Sequence, residues 1–243
     1  MKKVDRNSPV PLYYQLKDII AELIENEELH PNDPIPPERE LCEYHNVSRM
    51  TVNKAIIHLV NEGLLYREQG RGTFVAQAKE KHQLSQLLGL TEEMRRRGLQ
   101  VTTKLLYFGQ RTATKRMQED LQLPDKQQIF EIRRLRIVEN EPYSLETAYI
   151  PVGLCPTLSA QKLENHSMYE LLASEYNLEM DHAFQTIEPV IINDYESEIL
   201  QVKKNSLALM FSRKTFLKDN TPVELTKALY RSDKYKYEVT LQR

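Results

Sequence analysis

The stretch VSRMTVNKAIIHLVNEGLLYREQGRGTFV, residues 47–75, leaves few folds open. Ser48 is a good helix N-cap, and Met50, Val52, Ala55, Ile56, Leu59 and Val60 follow as an apolar face at helical spacing. Gly63 ends that helix, and "LLYRE" and "TFVAQ" read as short strands around Gln69-Gly70-Arg71-Gly72. Upstream, Leu12, Leu16, Ile19, Ile20, Leu23 and Ile24 make an amphipathic helix over residues 11–28. The proline-rich connector PNDPIPP stops it, and Pro37 opens a short second helix that ends near His45 and Asn46. Helix, helix, short turn, helix, hairpin is the order of a winged helix-turn-helix, expected over residues 1–76.

A chain of 243 residues has room for a second domain. Residues 77–84, QAKEKHQL, are polar and read as a linker. Over residues 85–243 short helices (about 91–97, 114–121, 159–164, 167–176 and 194–201) alternate with strands (about 102–110, 128–138, 143–150, 184–192, 206–217, 222–231 and 236–241). Many of these strands join through short turns. The fold class expected is therefore α+β, with a mostly antiparallel sheet in the second domain.

The formal net charge is only -2, so any nucleic-acid binding must come from local placement of basic groups. In a helix-turn-helix the second helix lies in the major groove with its first residues at the base edges. Here those are Ser48, Arg49, Met50, Thr51 and Asn53. Arginine can grip guanine with two hydrogen bonds, asparagine adenine, and the threonine methyl can meet thymine. Arg39 on the preceding helix is placed for a phosphate or a base. At the hairpin tip Gly70 and Gly72 permit a tight turn that lets Arg71 enter a minor groove. The same pattern also suits a winged helix that docks proteins.

Cys42 and Cys155 lie far apart, which suits a reducing cytoplasm, and the six histidines show no metal-ligand spacing. The opening MKKVDRNSP has no apolar run behind its lysines, and no run approaches membrane-spanning length. A cytoplasmic protein with no cofactor, metal or membrane association is expected.

The segments PPERELCEYHNVSRMTVNKAIIHLVNEGLL and GRGTFV closely resemble the GntR superfamily of bacterial transcription regulators over residues 9–76. The resemblance implies that Arg39, Arg49, Gly70, Arg71 and Gly72 contact DNA. Two positions depart from the usual pattern: Pro37 stands where serine is common, and Asn53 where arginine often is.

In the second domain the hairpin IFEIRRLRIVENEPYSLETAYIP, residues 129–151, carries the clearest signal. Alternation places Phe130, Ile132, Arg134, Arg136 and Val138 on one face. Buried arginine needs a paired acid or a bound anion. Glu146 comes opposite Arg134 if the hairpin loop has an odd number of residues, so the pattern fits either a structural ion pair or an anion pocket. Ser167 and Glu170 form a Ser-x-x-Glu capping box, Thr91 begins a helix, and Tyr230 ends a strand before Arg231 and Asp233.

Together these features resemble the HutC-type subgroup, whose effector domain (UTRA) has a chorismate-lyase-like fold. The resemblance implies a small-molecule pocket lined by Arg134, Arg136, Glu146, Ser167, Tyr169, Glu224 and Tyr230, with phosphorylated sugars as frequent ligands. Gly89, just before LTEEM, stands where many members have serine. Taken whole, the chain is expected to be a homodimeric repressor of sugar-utilisation genes on a pseudo-palindromic double-stranded operator, released by a small anionic effector such as a sugar phosphate. The competing expectation is an enzyme, because the second fold is shared with a lyase, but no nucleophile–base pair or metal cluster is evident.

Overall fold

The computed structural model describes residues 1–77, 80–83, 87–164 and 166–238. It divides into two compact units, residues 1–80 and 81–243.

In the first unit α1 (Leu12–Glu25), α2 (Glu38–His45) and α3 (Arg49–Asn61) precede a hairpin of β1 (Leu65–Glu68) and β2 (Gly72–Val75). Leu16 and Ile20 of α1 pack on Val52, Ala55, Ile56 and Leu59 of α3, with Leu41 of α2 and Leu65 and Val75 of the hairpin completing the core. The proline-rich connector is part of this core. Ile35 is buried, and its N–H donates to the Thr73 carbonyl at 3.0 Å, so the connector lies against β2. Asn46 closes α2 in the left-handed conformation.

Met50 does not join the apolar face expected of it; it is 83% exposed. Val52, Ala55, Ile56 and Leu59 are spaced three and four apart and share one stripe. Met50 lies two residues before Val52, about 200° around the helix, and so faces away.

The second unit holds a six-stranded antiparallel sheet in the order β4-β5-β6-β9-β8-β7. Its strands are β4 (Val101–Thr112), β5 (Gln128–Val138), β6 (Glu141–Pro151), β7 (His182–Ile191), β8 (Leu207–Phe216) and β9 (Pro222–Arg231). A separate pair joins β3 (Glu80–Gln83) to β10 (Tyr235–Glu238). Much of the stretch expected to be a plain linker is thus a strand; Ala78, Lys79 and Leu84 of that stretch lie outside the described residues, as do residues 239–241 of the last expected strand.

On one face of the sheet, α7 (Met168–Tyr176) and α6 (Ala160–Leu163) pack with Phe130, Ile132, Ala148 and Ile150, while α4 (Leu90–Arg96) packs with Val138, Tyr143, Phe211 and Tyr230. On the other face α5 (Lys115–Leu121) contributes Leu121 beside Ala113 and Ile129, and the approach to α8 (Asp194–Leu200) contributes Ile192 beside Ala208 and Leu229. The two clusters under α4 and α7 do not meet, and polar residues fill the interval between them.

Candidate functional site

Two groups of residues stand out, one in each unit. In the first, Ser48 caps α3: its Oγ accepts the Thr51 N–H at 3.2 Å and lies 2.9 Å from the Thr51 hydroxyl. The Arg49 side chain is 87% exposed, with Nε 3.7 Å from Glu38. Arg39 is also exposed and donates from Nε to Glu43 at 2.9 Å. At the hairpin tip Gly70 and Gly72 have φ of +77° and +131°, a region that favours glycine. Arg71 between them is exposed, pairs with Glu68, and holds its guanidinium 5.7 Å from the Phe74 ring centroid.

Asn53 differs from expectation in being engaged. Its Oδ1 accepts a hydrogen bond from Arg67 Nη2 at 2.6 Å, and Arg67 also lies 3.4 Å from Glu38. Glu38 therefore sits between two surface arginines, Arg49 and Arg67, and tethers both loosely. Sequence reasoning missed Arg67. No spacing rule joins residue 67 of a strand to residue 53 of a helix; the tertiary fold does.

In the second unit one cavity between α4, α7 and the sheet is lined by all nine positions that the sequence singled out: Gly89, Thr91, Arg134, Arg136, Glu146, Ser167, Tyr169, Glu224 and Tyr230. Its floor is the hairpin of β5 and β6, where Arg134 pairs with Glu146. The loop of that hairpin, Glu139-Asn140, has two residues, both at positive φ. Unbroken pairing from Val138 and Glu141 would place Arg134 opposite Leu145. The register shifts between Arg136 and Ile137, where Tyr143 is the extra residue, and the shift brings Glu146 into place. The odd count comes from a bulge and not from the loop.

Glu146 Oε2 accepts from Arg134 Nη2 at 2.9 Å and from Arg136 Nη1 at 3.3 Å, and all three residues are buried. Burial alone would push the Glu146 carboxyl up, but the guanidiniums of Arg136 and Arg134 outweigh it and hold the group below its ordinary range. Arg134 moves the other way: burial lowers its pKa, and the attraction of Glu146 offsets only part of that. One carboxylate for two buried guanidiniums leaves a surplus of positive charge. Donors are left over as well, since Arg134 Nε and Nη1 and Arg136 Nε have no hydrogen-bond partner. Arg136 Nη2 donates to the Thr91 hydroxyl near the start of α4.

Ser167 caps α7 through its Oγ, which accepts the Glu170 N–H at 3.4 Å. The reciprocal half of the expected capping box is not made, because the Glu170 carboxylate takes Arg95 Nη1 at 2.7 Å instead. Gly89, the N-cap of α4, offers no side chain there. Across the cavity Glu224 Oε2 accepts from the Tyr169 hydroxyl at 2.8 Å and from Thr215 at 3.2 Å. Burial, reinforced by Glu224, raises the Tyr169 pKa, so this phenol stays a donor.

Arg213, which sequence reasoning passed over, is a third guanidinium in the same wall; its Nε donates to Gln185 Oε1 at 2.7 Å. Burial disfavours its charge, yet Tyr169 and Tyr230 outweigh that and raise its pKa. The signal was available: Phe211, Arg213 and Thr215 alternate on one strand face, as Ile132, Arg134 and Arg136 do. Among the described residues no group of three or more His, Cys, Asp or Glu could hold a metal ion. Nor is any described helix long and apolar enough to cross a membrane.

Residues 12–75 match the bacterial regulatory proteins of the gntR family, and residues 96–236 match the UTRA domain. The chain is 34% identical to the HTH-type transcriptional repressor NagR of Bacillus subtilis over 96% of each protein. It is 29% identical to the mannosyl-D-glycerate transport/metabolism system repressor MngR of Escherichia coli, over 96% of this chain and 97% of that one. The crystal structure of PhnF from Mycobacterium smegmatis has the same fold, with a TM-score of 0.66 at 22% identity over 95% of this chain and 98% of that one.

Proposed function

The chain belongs to the gntR family of bacterial regulatory proteins and carries a UTRA domain, and on that premise we propose a homodimeric, cytoplasmic repressor of sugar-utilisation genes that leaves its operator when a small anionic metabolite fills the cavity at Arg134 and Arg136. The observation that carries the effector half is the buried guanidinium pair with unpartnered donors, since buried charge of this kind calls for an anion. A phosphorylated sugar suits it: the phosphate takes the free N–H groups of Arg134 and Arg136 and the cap of α7 at Ser167, and Glu224 takes sugar hydroxyls. That NagR and MngR are both named repressors supports the direction of control.

DNA is read by the exposed side chains of Arg39, Arg49 and Arg71 and by the half-buried Thr51, with Arg67 and Asn53 acting as a pair. Specific contacts are few, so the salt dependence of binding is shallower than for a protein with a basic tail. Two copies place their α3 helices in successive major grooves, about 34 Å apart.

The dimer forms along β7, an edge strand of ten residues whose Phe184, Ile187 and Ile191 are exposed beside an exposed Leu207. A long apolar edge of this kind pairs with another strand, and a second copy supplies one by two-fold symmetry.

Turnover is not the reading the pocket favours. Glu146 is tied by two guanidiniums and Glu224 by two hydroxyls, which leaves neither poised as a base. Cys155 is fully buried, and burial pushes its thiol up to about 12, so it is no nucleophile.

The test is selection of the operator from random duplexes, then gel shift with hexose phosphates. Release by at least one of them is expected. Arg49→Ala should cost about 1–3 kcal/mol of operator affinity, the worth of one bidentate base contact. Normal affinity in that variant would overturn the recognition-helix assignment, and retention of the operator under every compound would overturn the effector assignment.

A further inference from the structure

We infer that Arg213 and Thr226 form a second anchor in the effector cavity, which holds a neutral hydrogen-bond acceptor on the β8–β9 side and thereby selects a phosphorylated hexose over phosphate itself. The inference rests on the reading that the cavity takes an anionic effector.

The anchor follows from the sheet. Arg134 and Arg136 stand on β5, and Arg213 stands on β8, three strands away in the order β5-β6-β9-β8. Three spacings of ~4.8 Å put the backbones of the two arginine-bearing strands about 14 Å apart, and the Arg213 side chain reaches inward to Tyr169 and Glu224. A phosphate ion engages one of these loci; a sugar phosphate can engage both.

Thr226 on β9 lies directly opposite Arg213 in the register. Its hydroxyl is buried and has no hydrogen-bond partner, although it lines the cavity. A buried hydroxyl left unpaired is unfavourable, and a ligand oxygen there satisfies it. Arg213 is held in place by Gln185, also in the cavity wall, so its fork is oriented before any ligand arrives.

Charge decides what kind of group this end takes. Arg134, Arg136 and Arg213 face Glu146 and Glu224, and Glu93 in the same wall is paired with Arg97 at 3.2 Å. The excess positive charge is therefore small, and one anionic group uses it up. A second carboxylate or phosphate at the Arg213 end would lie near Glu224 with no cation left to match it. A hydroxyl, ring or carbonyl oxygen meets the same donors without that penalty.

The experiment is calorimetric titration of the full-length protein with inorganic phosphate and, separately, with glucose 6-phosphate, mannose 6-phosphate and glucosamine 6-phosphate. At least one hexose phosphate should bind about tenfold or more tightly than phosphate. Thr226→Val is nearly isosteric and removes a hydroxyl that has no partner without ligand, so its melting temperature should not fall. It should lose about three- to tenfold in affinity for that hexose phosphate, the worth of one hydrogen bond. Arg213→Lys should lose at least as much, and both variants should keep wild-type affinity for phosphate. The inference is overturned if no hexose phosphate surpasses phosphate, if both variants bind it normally, or if they weaken both ligands alike. If neither phosphate nor any hexose phosphate binds the wild type, the anion-pocket reading falls first and takes this one with it.

Discussion

Glu146→Gln keeps the shape of the side chain at the centre of the cavity and removes its charge. Two buried guanidiniums, at 2.9 Å and 3.3 Å from the carboxylate oxygen, then face each other without their counter-ion. Removing one partner of a buried ion pair costs about 3–5 kcal/mol. The amide oxygen still accepts a hydrogen bond, so the expected cost lies near the lower end, ~3 kcal/mol. For a unit of the size of residues 81–243 each kcal/mol is worth about 2–4 °C, so the melting temperature should fall by roughly 6–12 °C. Phosphate should restore part of this loss, because an anion in the cavity replaces the missing charge, and it should raise the variant's melting temperature more than the wild type's. Acid gives a second readout. The Glu146 carboxyl lies below its ordinary range when folded, so its contribution is complete above the unfolded value, about 4.3, and is lost as pH falls through the folded one. The variant should lack that acid limb. Calorimetric scans with and without phosphate decide the matter. A variant that melts with the wild type, or equal phosphate shifts in both proteins, would refute the claim that the guanidinium pair is an anion site held open by Glu146.

Three other perturbations probe separate parts of the structure. His45 is buried with both ring nitrogens unpartnered, and burial, aided by Lys3 and the N-terminal amine, lowers its pKa; the unfolded chain therefore binds the proton first, so stability should fall as pH drops below about 6.5, and His45→Leu should flatten that slope in thermal melts. Ile187→Lys on the β7 edge should yield a monomer in sedimentation while phosphate binding persists; an unchanged dimer would place the interface elsewhere. A Cβ at Gly89 would meet the Tyr169 ring at an ordinary 3.6 Å, so Gly89→Ser should fit, cap α4 with a gain of a few tenths of a kcal/mol, and tighten phosphate binding measured by calorimetry.

The sequence was most informative where local periodicity and burial coincide. The alternation of Ile132, Arg134 and Arg136 put both arginines on one face, because a strand has only two, and the structure lines one cavity with those arginines, Tyr169 and Glu224. It was least informative where a tertiary contact decides. The bulge at Tyr143 that sets Glu146 opposite Arg134 leaves no mark in the composition of the turn. Glu170 satisfies the spacing of a capping box, yet Arg95, far away in sequence, takes its carboxylate. Asn53 has the position of a base reader, and only the packing of the hairpin against α3 shows that Arg67 holds it. Met50 is as hydrophobic as its core neighbours, but its angle around α3 places it outside.

Fluorescence anisotropy of the labelled operator with full-length protein, titrated with the tightest-binding hexose phosphate, tests the union of the two units most directly. The DNA should dissociate from the wild type over the concentrations that saturate the cavity, and stay bound to Arg136→Met, which keeps the DNA-reading surface and loses the anion site. Dissociation from Arg136→Met at the same concentrations, or a wild type that holds its operator with the cavity saturated, would contradict it.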